Sequence, residues 1–498
     1  MKYISTRGNY QAVEAAEAIR TGMVPTGGLF VPEEIPVFSL AEIQEMAGKE
    51  YQEIAFQVLE KYLTDFTAEE LKEAIGLAYS RSKFPVAEVV PLYALDQNQY
   101  LMELWHGPTA AFKDIALQLM PQLLIRAIKK AELDREIVIL VATSGDTGKA
   151  ALEGFKDLPG VKIIVFYPAE GVSKIQELQM TTTDGNNTFV VGVKGNFDDC
   201  QTAVKTIFAD QDLKKLLASK GYQFSSANSI NWGRLVPQLV YYFSSYARLL
   251  KNGLLGQGEK INIVVPTGNF GNILAAYYAY RMGLPVNRFI CASNDNNILT
   301  DFFQTGIHDT RRDFKKTISP SMDILISSNL ERFLFEITGR DAGKIKQWYQ
   351  DLKEEGKFEI DRETLNEIQA IFSGDYSSEE ETIKTIKETY EQYQYTLDPH
   401  TAVAVDVYNK YKAKNHDDTV TIIASTASPF KFAETVLQAL GQGEIDNAKP
   451  EHLEDLQKIS GLEIHPGLRD LGDKKVVHKR IAYNEQIEKE ILDILQIR

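Results

Sequence analysis

The chain has 498 residues, 44% of them hydrophobic and 25% charged, with a net charge of −15 at pH 7, which predicts a globular protein of several domains. The acidic balance argues against nucleic-acid binding, because contacts to a phosphate backbone require clustered lysine and arginine. No apolar run approaches the length of a membrane span, so we expect small-molecule partners, with no nucleic acid and no membrane.

The cysteines, Cys200 and Cys291, show neither CxxC spacing nor a nearby histidine cluster. The sequence therefore predicts no disulfide framework and no metal site, and we expect both thiols to be buried. The first twenty residues are polar and of mixed charge, which favours a cytoplasmic location.

Residues 1–95 combine short turn-rich pieces with two amphipathic helical patterns, at 41–63 and 68–82. This arrangement predicts an N-terminal cap domain. Further along, four apolar, β-branched runs predict strands, each followed by a helical pattern. The runs are EIVILVATSG, VKIIVFYPAE, INIVVPTG and TVTIIAST.

Apolar strands that alternate with helices indicate an α/β fold with a parallel sheet buried on both faces. Ligands of such sheets bind at the carboxyl ends of the strands. Residues 330–400 interrupt the alternation with charged helical patterns, which predicts a helical insertion at the surface.

The segment IVVPTGNFGN (263–272) runs from a strand into a glycine-rich turn and then a long helix. Glycines let backbone amides approach an anion, and the following helix adds free N–H groups. Gly268, Asn269, Phe270, Gly271 and Asn272 are therefore candidates for a phosphate cradle. A strand–helix turn that simply needs glycines explains this segment equally well.

The segment VATSGDTGKAAL (141–152) is a second strand–loop–helix passage. It departs from the nucleotide-binding loop because Ala150 follows Lys149, and no glycine stands five positions before Gly148. Its loop suits a carboxylate or phosphate, with Ser144, Asp146 and Thr147 as candidates. An ordinary helix cap by Ser144 or Asp146 is the alternative.

Lys113 lies among small and apolar residues in HGPTAAFKD (106–114). Poor solvation lowers the pKa of an amine and makes it a usable nucleophile or base. A surface lysine with its stem on apolar neighbours is the alternative. A reactive lysine together with a phosphate cradle favours pyridoxal phosphate as cofactor.

The strand of IIASTASPFKF (422–432) ends in hydroxyl side chains, among them Thr426. A hydroxyl beside the pyridine nitrogen of such a cofactor would leave that nitrogen unprotonated. Helix capping is the alternative for these hydroxyls.

Ten segments, in order and over most of the chain, resemble the threonine synthase family of fold type II (tryptophan-synthase-β-like) pyridoxal phosphate enzymes. They are YISTRG (3–8), GGLFVPEEIP (27–36), ELWHGPTAAFKD (103–114), ATSGDTGKAA (142–151), GNFDDCQTAVK (195–205), NSINWGR (228–234), VPTGNFGN (265–272), SPSMDILISSNLER (319–332), DPHTAVA (398–404) and STASPFKF (425–432).

The resemblance implies two parallel-sheet α/β domains plus the cap. We expect a small domain at 126–214 and a large cofactor domain at 96–125 and 215–498 that carries the 330–400 insertion. It implies that Lys113 is the Schiff-base lysine and the base, that 268–272 binds the cofactor phosphate, and that Thr426 faces the pyridine nitrogen. The substrate ligands it implies are Ser144, Asp146, Thr147, Asn231 and Arg234.

The activity that the resemblance implies is conversion of the substrate O-phospho-L-homoserine and water to L-threonine and phosphate, by a monomer or homodimer. Other reactions on the same scaffold stay open, namely a phospho-lyase that yields 2-oxobutyrate and a serine/threonine dehydratase. The N-terminal cap disfavours the dehydratase. A non-catalytic pyridoxal-binding protein is the alternative from another class.

Overall fold

The computed structural model describes residues 1–132, 134–143, 145–170, 172–195, 197–443 and 451–497. The N-terminal region is a small antiparallel sheet of order β2-β1-β3 with helices packed around it. Its elements are β1 (Lys2–Ser5), β2 (Val13–Glu14), α1 (Ala15–Thr21), β3 (Phe30–Pro32), α2 (Leu40–Glu45), a 3₁₀ turn (Met46–Gly48), α3 (Tyr51–Tyr62) and α4 (Ala68–Ala78).

Strands and helices then alternate along the chain. The first group is β4 (Leu92–Ala94), β5 (Gln99–Glu103), α5 (Lys113–Lys130), β6 (Glu136–Ala142), α6 (Asp146–Phe155), β7 (Val161–Pro168), α7 (Lys174–Thr181), β8 (Thr188–Lys194), α8 (Phe197–Ala209), α9 (Gln211–Ser219), β9 (Tyr222–Ser226), α10 (Trp232–Leu235) and α11 (Pro237–Lys251).

The second group is β10 (Ile261–Pro266), α12 (Gly271–Arg281), β11 (Val286–Ser293), α13 (Ile298–Thr305), β12 (Ile307–Asp309), α14 (Leu330–Ile337), α15 (Ala342–Glu355), β13 (Lys357–Glu359), α16 (Arg362–Ile371), β14 (Phe372–Tyr376), α17 (Glu379–Tyr393), α18 (Pro399–Asn415), β15 (Thr421–Ser425), α19 (Ala433–Ala439), α20 (Glu451–Ser460), β16 (Arg480–Tyr483) and α21 (Ile487–Ile494). Further 3₁₀ turns cover Pro320–Met322, Pro429–Phe432 and Asn484–Gln486.

The larger sheet has the order β14-β11-β10-β15-β5-β4, and its strands are parallel except for β4. Every residue of β10 and β15 is buried, as expected for central strands with both faces covered. The carboxyl ends of β5, β10 and β15 lie at one edge. The segments that follow these strands, including Lys113, 267–272 and Thr426, therefore meet there.

The smaller sheet has the order β16-β8-β7-β6-β9, and all its strands are parallel. The predicted α/β fold with parallel sheets is thus confirmed. Two of these strands, β9 at Tyr222–Ser226 and β16 at Arg480–Tyr483, lie outside the range 126–214. The domain boundaries stay a prediction, but distant parts of the sequence complete the smaller sheet.

The predicted helices at 330–400 are present as α14 to α17. This segment also contains β14, which pairs in parallel with β11 and extends the larger sheet. Part of the 330–400 segment therefore belongs to the larger sheet. The sequence did not predict β14, because most of its residues are polar or small.

Both cysteines are buried and free, as predicted. Among the described residues, no helix has the length and apolar character needed to cross a membrane.

Candidate functional site

A cavity of about 1160 Å³ lies at the carboxyl ends of strands from both sheets, which is where α/β proteins bind ligands. Most of the predicted site residues line it, namely Lys113, Thr147, Arg234, Gly268, Asn269, Phe270, Gly271, Asn272 and Thr426. The structure thus brings together residues from five separate segments of the sequence.

Lys113 is the first residue of α5, and its side chain is buried. Its Nζ atom donates to Oγ of Ser321 at 3.2 Å and lies 3.6 Å from Oδ2 of Asp146. Burial lowers the pKa of Lys113 to about 8, although the nearby carboxylate of Asp146 opposes the change. A fraction of the amine is therefore neutral near pH 7 and available as a base or nucleophile.

Asp146 is the first residue of α6, and its carboxylate lies next to the Lys113 amine. Its Oδ1 atom lies 2.9 Å from Nζ of Lys431 and accepts a hydrogen bond from Gln176 at 3.0 Å. Burial favours the neutral acid, but Lys431 and Lys113 hold the pKa of Asp146 well below its usual range. The carboxylate is therefore ionised and is shared by two buried amines.

Lys431 is 1% exposed, and its ammonium also donates to the carbonyl of Thr109 and to Oε1 of Gln179. Lys431 was not among the candidates predicted from the sequence. The signal was present, because the PFKF run places Lys431 between two phenylalanines much as AFKD places Lys113 in an apolar run.

Ser321 and His400 also line the cavity and were not identified from the sequence. His400 Nε2 accepts from the backbone N–H of Ser321 at 3.1 Å, while its Nδ1 lies 3.0 Å from Oδ1 of Asp398. This pattern assigns the proton to Nδ1. Asp398 and His400 thereby fix the backbone at Ser321, whose hydroxyl contacts Lys113.

The glycine-rich segment 268–272, for which the sequence predicts a phosphate cradle, lies at the start of α12. The first helical hydrogen bond runs from Leu274 N to Phe270 O, so the preceding N–H groups have no acceptor in this helix. The side-chain Nδ2 of Asn272 is buried and has no hydrogen-bond partner among the described residues. Free N–H groups and an orphaned amide fit an anion such as a phosphate.

Thr426 follows β15 and lines the cavity. Its backbone N–H donates to Oγ1 of Thr401, and its carbonyl accepts from the N–H of Phe112. These backbone bonds fix the position of Thr426 beside the turn that carries Lys113.

Arg234 is buried at the cavity wall, where its Nη1 atom donates to the carbonyl of Ala227. Burial lowers the pKa of Arg234 to about 10, so the guanidinium stays charged at neutral pH. No carboxylate within the described ranges forms an ion pair with it. The remaining N–H donors are suited to an anionic ligand.

Asn231 differs from the other candidates. Its amide donates to the carbonyls of Ile19 and Ser226 and accepts from the N–H of Gly233, which it caps at the start of α10. It is absent from the cavity lining. Asn231 is thus the N-cap of α10, and its bond to Ile19 connects α10 to α1.

The loop before α6 positions Thr147 at the cavity, while Thr143 Oγ1 accepts from the N–H groups of Gly145 and Gly148. Gly145 has φ 130°, and a Cβ there would lie 2.5 Å from the side chain of Gln176. Only glycine therefore fits this turn. The predicted ligand Ser144 lies outside the described residues.

Together these groups fit pyridoxal phosphate, because they supply a partly deprotonated lysine, a cradle for a phosphate and a hydroxyl side chain at the same edge. A separate guanidinium is left for a second anion.

The sequence matches three family models. They are "Threonine synthase N terminus" over residues 2–79, "Pyridoxal-phosphate dependent enzyme" over 83–426 and "Threonine synthase, C-terminal" over 401–461.

Among named relatives, "Threonine synthase-like 1" of Homo sapiens is 42% identical over 448 residues, which cover 88% of this chain and 59% of that protein. The chain thus spans less than two thirds of that relative. The threonine synthase of Pseudomonas aeruginosa is 39% identical, with 92% of this chain and 93% of that protein covered. The crystal structure of a threonine synthase from Brucella melitensis with bound PLP is 36% identical, with a TM-score of 0.87 and coverage of 99% and 98%.

Proposed function

The chain belongs to the threonine synthase family, and we propose on this basis that it converts O-phospho-L-homoserine and water into L-threonine and phosphate with pyridoxal phosphate as cofactor. The observation that carries the proposal is the buried Lys113 amine, which shares one cavity with the free N–H groups of 268–272.

Lys113 would hold the cofactor covalently, residues 268–272 and the orphaned Asn272 amide would bind its phosphate, and Thr426 would face its pyridine nitrogen. When bound, pyridoxal phosphate withdraws electrons from the substrate carbons next to the amino group and so makes their protons acidic. The chain then has to move those protons and to hold the substrate.

Lys113 is the group that would move protons at the α and β carbons. A pKa of about 8 suits this work, because a base is most effective when its pKa lies near the working pH. The Ser321 hydroxyl and the Asp146 carboxylate hold Nζ at the cavity wall. In this proposal Asp146 positions Lys113 and is not a direct substrate ligand.

The substrate carries a carboxylate and a phosphate, and both need cationic or N–H donors. Arg234 is the cavity group best suited to one of them, since it is charged and lacks a carboxylate partner among the described residues. Thr147, in the first turn of α6 and at the cavity, would contact the other anionic group together with Ser144. Phosphate leaves the γ carbon, and water supplies the hydroxyl of the β carbon.

The decisive experiment gives the cofactor-loaded protein O-phospho-L-homoserine and quantifies threonine, 2-oxobutyrate and phosphate together. We expect threonine equal to phosphate. Phosphate matched by 2-oxobutyrate would assign the protein to the phospho-lyase reaction. No phosphate release would reject both reactions in favour of the non-catalytic alternative or another substrate.

We also propose that the protein is cytoplasmic and acts as a monomer or homodimer. Its acidic net charge of −15 supports a small-molecule partner over a nucleic acid. Size-exclusion chromatography with light scattering tests the oligomeric state against the monomer mass of 56.0 kDa.

A further inference from the structure

Ser327 and Asn329 lie outside the cavity lining and form hydrogen bonds to the backbone of the cradle. Ser327 Oγ donates to the carbonyl of Gly268 at 2.7 Å. Asn329 donates twice to the carbonyl of Asn269, from its backbone N at 3.1 Å and from Nδ2 at 3.0 Å. Both carbonyls of the glycine-rich turn are therefore held on the side of the segment 327–329.

The carbonyl positions determine where the next N–H groups point. No cis peptide bond occurs in the described chain, and in a planar trans peptide the C=O of one residue and the N–H of the next point in opposite directions. When Ser327 holds Gly268 O and Asn329 holds Asn269 O, the N–H groups of Asn269 and Phe270 point away from that segment.

The backbone at Phe270 needs such support. Phe270 has φ 62°, in the left-handed region, which is costly for a bulky side chain and persists only where the surroundings fix it. The phenyl ring packs against Phe333 of α14 with ring centroids 5.3 Å apart. Helix α14 and the residues before it therefore hold both the ring and the backbone of the turn.

Asn329 is held in turn by Arg332, which is fully buried. Arg332 Nη1 donates to Oδ1 of Asn329 at 2.7 Å, Nε donates to the carbonyl of Phe30 in β3, and Nη2 donates to the carbonyl of Ile230. With Oδ1 bound to a cation, the Asn329 amide cannot flip, and its Nδ2 stays directed at Asn269. The arginine also connects this arrangement to the N-terminal region.

We propose that Ser327, Asn329 and Arg332 are positioning residues that aim the cradle's N–H groups at the cofactor phosphate, with Arg332 anchoring them to the N-terminal region. The inference rests on the proposed function, because it presupposes that pyridoxal phosphate binds at Lys113. It assigns these residues a role for the phosphate, since Ser327 and Asn329 bond to carbonyls of the cradle and Arg332 bonds to Asn329.

The test compares pyridoxal phosphate with pyridoxal, which has the same aldehyde but no phosphate. Each is titrated into the cofactor-free full chain, and the absorbance of its linkage to Lys113 gives the Kd. For Asn329→Ala and Ser327→Ala we expect a Kd for pyridoxal phosphate weakened about tenfold, the size of one buried hydrogen bond. The Kd for pyridoxal should stay within about twofold of wild type.

Glu331→Gln is the matched control. Glu331 lies between Asn329 and Arg332 in sequence but bonds to Thr6 and Arg7 of the N-terminal region, without contact to the cradle. Its Kd for pyridoxal phosphate should equal that of wild type. If Asn329→Ala fails to fold, Ser327→Ala, which removes one hydroxyl, carries the test.

Equal weakening for both ligands would assign the residues a general structural role and overturn the inference. Unchanged affinity for pyridoxal phosphate would also overturn it while leaving the proposed function intact. A wild-type chain that links to neither aldehyde would overturn the proposed function and the inference together.

Discussion

Lys431 Nζ lies 2.9 Å from Oδ1 of Asp146, whose second carboxylate oxygen lies 3.6 Å from Nζ of Lys113. One buried carboxylate thus faces two buried amines. Lys431 has two further acceptors, Thr109 O and Gln179 Oε1, whereas Lys113 has the Ser321 hydroxyl. Lys431 therefore has more acceptors than Lys113, and the pKa of Lys113 is lowered to about 8 by burial.

The position of the Asp146 carboxylate between Lys113 and Lys431 predicts how cofactor attachment depends on pH. Burial lowers the pKa of Lys113 to about 8, and Lys431 contributes to the lowering. The reactive form is the neutral amine, so the initial rate of pyridoxal phosphate attachment should rise with pH to a midpoint near 8. In Lys431→Met the midpoint should move upward, because Asp146 then interacts with Lys113 alone.

Stopped-flow absorbance of the cofactor-free chain between pH 6 and 10 measures both midpoints. Lys431→Arg keeps the charge and serves as control, so its midpoint should stay near that of wild type. A wild-type midpoint above 10 would show that burial does not lower the pKa, and an unmoved midpoint in Lys431→Met would exclude the role of Lys431.

Lys113→Ala should remove both the covalent cofactor linkage and turnover, because it removes the buried Nζ atom that would hold the cofactor and move the protons. Borohydride reduction followed by peptide mapping locates the linkage in wild type and reports its loss in the variant. Lys129→Ala, at the exposed end of the same helix α5, is the control and should retain both. Full activity of Lys113→Ala would contradict the assignment of the catalytic lysine.

The sequence was sufficient for the α/β class and for the strand–helix units around 136–155 and 261–281, since continuous apolar strands give a strong local pattern. It did not reveal that β9 and β16 complete the smaller sheet, because strand order depends on contacts between distant segments. Edge strand β16 is mostly exposed and has little of the apolar pattern.

In the site, too, features set by local sequence were predicted, whereas features set by contacts between distant segments were not. Lys113 and 268–272 were predicted because their chemistry is local, in an apolar run and a glycine-rich turn. Asn231 was predicted as a ligand, but the three bonds of its amide are visible only in the folded chain. Lys431 was missed because a lone lysine is more often exposed, and its partner Asp146 lies 285 positions earlier in the sequence.

Gly268 should tolerate no side chain. A Cβ at this position would lie 2.6 Å from the carbonyl of Ser321, a backbone atom that cannot move independently. Gly268→Ala should therefore lower the stability of the cofactor-free chain by about 1–3 kcal/mol and displace the Ser321 hydroxyl from Lys113. At Gly271 the nearest atom to a Cβ is 3.6 Å away, so Gly271→Ala is the matched control.

Urea denaturation of both cofactor-free variants measures the difference in the free energy of unfolding. Equal stability of Gly268→Ala and wild type would mean that the Pro320–Met322 turn yields without cost, and the close approach would then have no structural significance.

Arg234→Met should raise the KM for O-phospho-L-homoserine by roughly 10- to 100-fold, the size of a charge-assisted hydrogen bond. The guanidinium is buried, charged and without an ion-pair partner among the described residues, and one of its N–H groups already donates to Ala227 O. A substrate anion held equally in the ground and transition states contributes to KM and leaves kcat within a few fold.

Steady-state kinetics of Arg234→Met, together with its Kd for pyridoxal phosphate, tests this role. Arg248→Met, which removes an arginine paired with Glu88 away from the cavity, should keep the wild-type KM. A weakened cofactor Kd at unchanged KM would assign Arg234 to the cofactor phosphate. A fall in kcat alone would mean that the guanidinium acts on charge that develops only as the γ carbon–oxygen bond breaks.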